Sequence, residues 1–163
     1  MATPVGHSIV GYTLARAAGV RSRTALAAAI GAASLPDVDF ILGYMTNGDA
    51  RSLHHEVITH KPAFSLLVGA ATGAAAVAAS LLLRRRLPAP GEVLRPAALA
   101  AALVGSHVAM DKLPLPYDTA QRWWGSAGQV VAAQGWNAVI DLAVYGTVAM
   151  VALGRNDAAE APA

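Results

Sequence analysis

The sequence predicts an all-α integral membrane protein, a bundle of about five helices, and three observations lead there. Hydrophobic residues make up 55% of the 163 and charged residues only 13%, and the mean hydropathy is +0.46. That is more apolar than a water-soluble domain of this length usually is. Phe64 to Leu83 then runs without a charge and stops at Arg84, Arg85 and Arg86. At ~1.5 Å per residue, a run of about twenty residues spans a hydrocarbon core. Third, five apolar stretches at residues 5–19, 24–36, 62–83, 95–113 and 136–153 sort the ionisable residues when traversed alternately, histidines and carboxylates to one face and arginines to the other. The competing fold is a soluble, alanine-rich helical bundle built on the same central helix.

The first stretch follows MATPVGHSIV, which lacks a basic leading segment and a cleavage site and so reads as part of the mature fold. Gly19 to Thr24 is a polar turn, with Thr24 as N-cap of an alanine-rich helix that ends near Leu35 and Pro36. Asp37 and Asp39 therefore sit at a helix terminus. Gly43 to Ser52 reads as a loop from its Asn47-Gly48 and polar content, and Pro62 suits the first turn of the long third helix. Leu87 to Pro96 is a proline-rich connection, and the prolines after Leu113 end the fourth helix, so that Asp111 falls in its last turn. Residues 117–135, with Tyr117, Trp123 and Trp124, resemble an aromatic belt or interfacial segment. Trp136 opens the last helix. Residues 1–155 are expected to form one helical domain and 156–163 a disordered tail.

Charge sets the expected orientation. Eight of the ten arginines fall on one proposed side, with Arg51, Arg122, Lys61 and Lys112 opposite. Positively charged loops stay cytoplasmic, which puts the C-terminus inside and the histidine-rich face outside. The pI near 9.3 is explained by that asymmetry; the aromatic interleaving of a single-strand groove is lacking, and no nucleic-acid partner is expected. With no cysteine, any metal has to be held by nitrogen and oxygen.

His107 and Asp111 are spaced i, i+4, so both project from one helix face toward one ion or neighbouring ions, or form a structural hydrogen-bonded pair. Ionisable groups in an apolar helix are costly and mark a site with a partner. His55 and His60 are roughly 140° apart on a regular helix and converge better from a turn; His54 reads as an exposed loop residue. Asp37 and Asp39 offer two hard donors, with capping as the alternative. Asp141, placed in the first turn of the last helix, suits either ligation or the helix dipole. His7 joins the group through its side of the membrane. Together these exceed the three or four protein ligands of one zinc, which favours two ions.

His7 in VGHSIVGY, the LPDVD of Leu35 to Asp39, the HEVITH of His55 to His60 and the HVAMD of His107 to Asp111, in that order, resemble the membrane-bound metal-dependent hydrolase family, also described as LexA-binding, inner-membrane-associated hydrolases. The similarity covers most of the chain. Glu56 and Lys61 depart from the family's arginine and serine. The ordered ligands are also distantly similar to zinc-dependent phospholipase C, with Asp141 as a late carboxylate and Asn137 where a histidine is expected.

The resemblance implies a multi-pass inner-membrane hydrolase with a metal site at one membrane face, which the arginine asymmetry puts on the extracytoplasmic side. It would use one or two divalent ions, zinc first and Mn or Fe as alternatives, to cleave a phosphoester or other ester of a lipid or envelope component. The expected ligands are His7, Asp37, Asp39, His55, His60, His107, Asp111 and Asp141, with Glu56 and Asp37 in catalytic roles. The expected partners are membrane lipid and that substrate, and the reading leaves room for a homo-oligomer. The alternative is a non-enzymatic membrane protein with a structural metal or a regulatory partner. For orientation, a reporter fused after Ala163 is expected to behave as cytoplasmic; an exported signal there reverses the topology.

Overall fold

In the computed structural model, residues 3–48, 53, 58–113 and 135–159 are described, and every regular element among them is helical. Helix α1 is Pro4–Ala17, α2 Arg23–Ala33, α3 Val38–Asn47, α4 Pro62–Ala79 and α5 Pro90–Met110. The last helix, α6, has its membrane-capable part at Gly135–Leu153, with a π-helical stretch at Leu142–Gly146 and an α-helical continuation, Thr147–Ala159. Short 3₁₀ turns at Leu35–Asp37 and Ile58–His60 precede α3 and α4.

The described residues form six helices rather than about five, α3 being additional to those over the apolar stretches, and they are not equally able to cross a membrane. Three qualify by length and apolarity: Pro62–Arg84, Pro90–Met110 and Gly135–Leu153. A fourth arises if α2 and the segment Leu35–Asn47, bent by 56°, count as one broken span. At 14 residues, α1 falls short of the roughly twenty that a span needs.

Several local expectations are corrected. Gly43–Asn47, read as loop, belongs to α3, which ends where Gly48 adopts the left-handed φ of 68°; Asn47-Gly48 is a helix stop, not the middle of a turn. Helix α2 begins at Arg23, one residue before Thr24, with the Ser22 carbonyl accepting from the Leu26 N–H at 2.9 Å. Helix α5 begins at Pro90, the position proline favours, and continues through Pro96, an interior proline that costs it the backbone bond to Glu92 without ending it. Its last residue is Met110, which leaves Asp111 just beyond. Asp141 falls in the second turn of α6, so the dipole argument for it does not apply. Residues 156–159, assigned by sequence to the tail, are helical. His54, His55, Glu56, Tyr117, Trp123, Trp124 and residues 160–163 lie outside the described residues.

The chain divides into two compact units, Met1–Gly31 with Ala109–Ala163, and Ala32–Val108. In the first, α1 packs against the π-helical and later parts of α6, around Met110, Ile140 and Tyr145 with Ile9 and Val10. Thr3 caps α1, its hydroxyl accepting from the Val5 N–H at 3.2 Å, and Pro4 takes the first helical position.

The second unit holds α3 and an antiparallel hairpin in which α4, extended by a π-helical stretch at Ser80–Arg84, turns through residues 85–89 into α5. Its seam is made of small residues: Gly105 lies against Ser65, Gly69 against Ala97 and Ala101, and Gly73 against Ala97 and Val93. Lipid offers no hydrophobic gain for helix association, so close backbone approach and dispersion have to hold such a pair. The hairpin therefore places the Ile58–His60 turn and His107 at one end and Arg84, Arg85, Arg86 and Glu92 at the other. At that second end the hydrogen bond to Glu92, and then its charge, hold the Arg86 guanidinium above its ordinary value.

A Cβ on Gly69 would stand 2.9 Å from both the Ala97 carbonyl oxygen and the Ala101 Cβ. Gly69→Leu is expected to cost at least ~1–3 kcal/mol by overpacking and to lower the melting temperature in detergent. A Cβ on Gly31 meets nothing within 4 Å, so Gly31→Ala is expected to melt no lower than the parent. Equal melting of Gly69→Leu and parent contradicts the seam.

Candidate metal centre

His107 sits in the last turn of α5 and is fully buried. Its Nδ1 lies 2.9 Å from the Ala33 carbonyl oxygen at the end of α2. A carbonyl can only accept, so Nδ1 carries the hydrogen and the ring's orientation is set by main chain. Its Nε2 then faces Asp37 Oδ1 at 3.3 Å. A lone pair and a carboxylate oxygen at that distance repel unless a proton or a cation stands with them. A tetrahedral ion with bonds of ~2.0–2.1 Å holds its donors roughly 3.3–3.4 Å apart, which is the spacing observed.

His60 closes the 3₁₀ turn before α4, and Pro62 opens that helix as its fixed φ favours. The His60 Nδ1 lies 2.9 Å from Asp39 Oδ2, and the Thr59 hydroxyl donates to the same oxygen at 3.2 Å. Asp39 is fully buried. A carboxylate that receives Nδ1–H fixes the tautomer and turns Nε2 outward, the usual support of a metal-binding imidazole. The His60 and His107 rings stand edge to face with centroids 5.2 Å apart. Within this unit Asp37, Asp39, His60 and His107 are thus brought together. Asp37 is the accessible member, its side chain 22% exposed.

The other unit holds its own pair. His7, buried in the first turn of α1, has its Nε2 3.7 Å from Asp111 Oδ1. Asp141 is engaged differently, because its Oδ2 accepts the Thr3 N–H at 2.7 Å and the Thr3 hydroxyl at 2.5 Å. It caps the start of α1 from α6. Gly6 makes this approach feasible, since a Cβ there would meet the Asp141 carboxylate at 2.7 Å. Asn137, one turn earlier on α6, is buried as well. His55 and Glu56, the remaining sequence candidates, are outside the described residues.

Three contributors escaped the sequence reading. The Ala33 carbonyl is a main-chain group and leaves no residue signal. Thr3 does leave one, because threonine before proline at a helix start is a capping pattern. Gly6 is legible only once Asp141 is seen to lie on it.

The Asp141 carboxylate is a buried acceptor of two hydrogen bonds, and bonds to a charged group contribute about 1.5–3 kcal/mol each. Asp141→Ala is therefore expected to destabilise the chain by about 3 kcal/mol or more, read as earlier chemical unfolding in detergent. Unfolding at the parental denaturant concentration contradicts the capping role.

No curated protein and no solved structure matches the chain. A family profile described as YdjM inner membrane protein matches residues 1–151, nearly the whole sequence and all of the histidines and aspartates above. The chain belongs to the YdjM inner membrane protein family.

Proposed function

We propose that the protein is a membrane metallohydrolase that cleaves a phosphoester, or another ester, of a lipid or envelope component. The observation that carries the reading is the 3.3 Å approach of His107 Nε2 to Asp37 Oδ1, with Nδ1 already committed to Ala33. His60 and His107 would present Nε2, and Asp37 a carboxylate oxygen, to a divalent ion, zinc first and Mn or Fe as alternatives. All donors are nitrogen or oxygen, which suits those ions. His7 and Asp111 are the donors assigned to a second ion. His55 is the remaining ligand candidate from the sequence motifs, while Asp39 acts through His60 and Asp141 caps α1, so neither is assigned to an ion.

When bound, a divalent ion supplies a water acidified toward neutrality and positive charge for the developing oxyanion. The protein's share is orientation and proton handling. Asp39, held by Thr59, keeps the His60 ring in one tautomer, and the Ala33 carbonyl does the same for His107. Asp37, as the accessible carboxylate, and Glu56 are the groups assigned to receive the proton. The extracytoplasmic face is the proposed side, from the arginine asymmetry of the sequence.

Full burial of Asp39 and His107 favours one further reading, a closed structural metal site in a protein without hydrolytic activity. Elemental analysis of the detergent-purified chain is expected to find one or two ions, fewer in His107→Ala and in Asp111→Ala. Asp39→Asn, acting through His60, is expected to weaken metal affinity by ~10–100-fold with an unchanged helical spectrum. Hydrolysis of a phosphodiester probe should stop on chelation and return with metal. Unchanged metal content in both alanine variants removes the centre; bound metal without hydrolysis of phosphodiester or phospholipid leaves the structural reading.

A further inference from the structure

The far end of the α4–α5 hairpin carries chemistry that hydrolysis does not use. Arg84, Arg85, Arg86 and Arg95 gather there with a single carboxylate, Glu92. Glu92 accepts from Arg84 Nη1 at 3.0 Å, from Arg86 Nη2 at 2.6 Å and Nη1 at 2.8 Å, and from the Ala89 N–H at 2.8 Å. Arg85 takes no part in this. It is exposed and holds φ 52°, ψ 34°, the left-handed region that a side chain seldom adopts. A left-handed residue is a common way to close a helix, and the Ser80 hydroxyl donates to the carbonyl of the next residue, Arg86, at 2.9 Å. Leu82, Leu83, Leu87 and Leu94 are exposed around the cluster. Beside them a cleft of about 360 Å³ runs from Ala76 and Ala79 past Ser80 and Leu83 to Arg84 and Glu92.

We propose that this end of the hairpin binds one anionic phospholipid, its phosphate on Arg85 beside Arg84 and Arg86 and an acyl chain along the Ala76–Ala79 cleft. Four guanidiniums against one carboxylate leave a net charge of +3 within residues 84–95. Guanidinium forks match phosphate oxygens in geometry and charge. The exposed leucines fix the depth: they belong in hydrocarbon, so the arginines rise from them to headgroup level, where anionic lipids concentrate basic side chains. The cleft has the complementary gradient, small apolar walls below and charge at its mouth. Glu92 acts as a placeholder, holding Arg84 and Arg86 in position and weakening the site for any anion. A net-negative headgroup is selected over a zwitterionic one because the phosphate's charge is then not offset by a choline or ethanolamine.

The test is native mass spectrometry of the full chain released from detergent and titrated with phosphatidylglycerol, phosphatidylcholine or inorganic phosphate. Phosphatidylglycerol is expected to bind roughly tenfold tighter than phosphatidylcholine, and Arg85→Gln to weaken it about fivefold, one surface arginine's share. Arg85→Lys should retain most of the affinity. Glu92→Gln should tighten binding several-fold by releasing two arginines. Equal binding of the two lipids, an Arg85→Gln variant indistinguishable from parent, or a Glu92→Gln variant that binds more weakly overturns the proposal. Displacement of the lipid by micromolar inorganic phosphate also overturns it, by making a free anion the ligand.

Discussion

A buried imidazole in an apolar helix is costly unless each ring nitrogen is answered, and for His107 one answer is the main chain. The bond from Nδ1 to the Ala33 carbonyl ties the end of α5 to the end of α2 and decides what the opposite nitrogen can do. Nε2 is turned on Asp37, and the distance between them calls for positive charge. The rest of that unit serves this geometry: the 3₁₀ turn before α3 presents Asp37, the next helical turn presents Asp39, and Asp39 in turn holds His60.

What makes such an arrangement affordable in a membrane protein is the glycine and alanine seam. Side chains of one or no carbons let α4 and α5 approach closely along several turns. His60 and His107 are then delivered to one end of the hairpin by helix length and register alone. In the other unit the same economy recurs on a smaller scale, where Gly6 lets the Asp141 carboxylate reach the capping threonine of α1. Small residues bring polar groups into contact in both places.

Much of the all-helical, membrane-embedded character was legible in the residues, and so was the grouping of Asp37, Asp39, His60 and His107. The long charge-free run and the arginines after it are strong one-dimensional signals. Helix α3 was missed because Gly43 and Asn47-Gly48 look like a loop, whereas its apolar residues Phe40, Ile41, Leu42, Tyr44 and Met45 form a helix of their own after the 3₁₀ turn Leu35–Asp37. The start of α5 was misplaced because three prolines in ten residues resemble a linker, although Pro90 suits a helix's first position and the helix runs on through the interior Pro96. The different uses of Asp39 and Asp141 were not legible at all. Both are aspartates in motif order, and only the positions of His60 Nδ1 and of Thr3 distinguish a group that orients an imidazole from one that caps a helix.

The central claim is that imidazole nitrogens, oriented by a carbonyl and a carboxylate, share a cation with Asp37. X-ray absorption at the metal edge of the detergent-purified chain tests it most directly. The account predicts only nitrogen and oxygen neighbours at about 2.0–2.1 Å, with outer-shell scattering from at least two imidazoles. A spectrum without imidazole scattering, or a preparation that carries no metal after incubation with zinc, would contradict it.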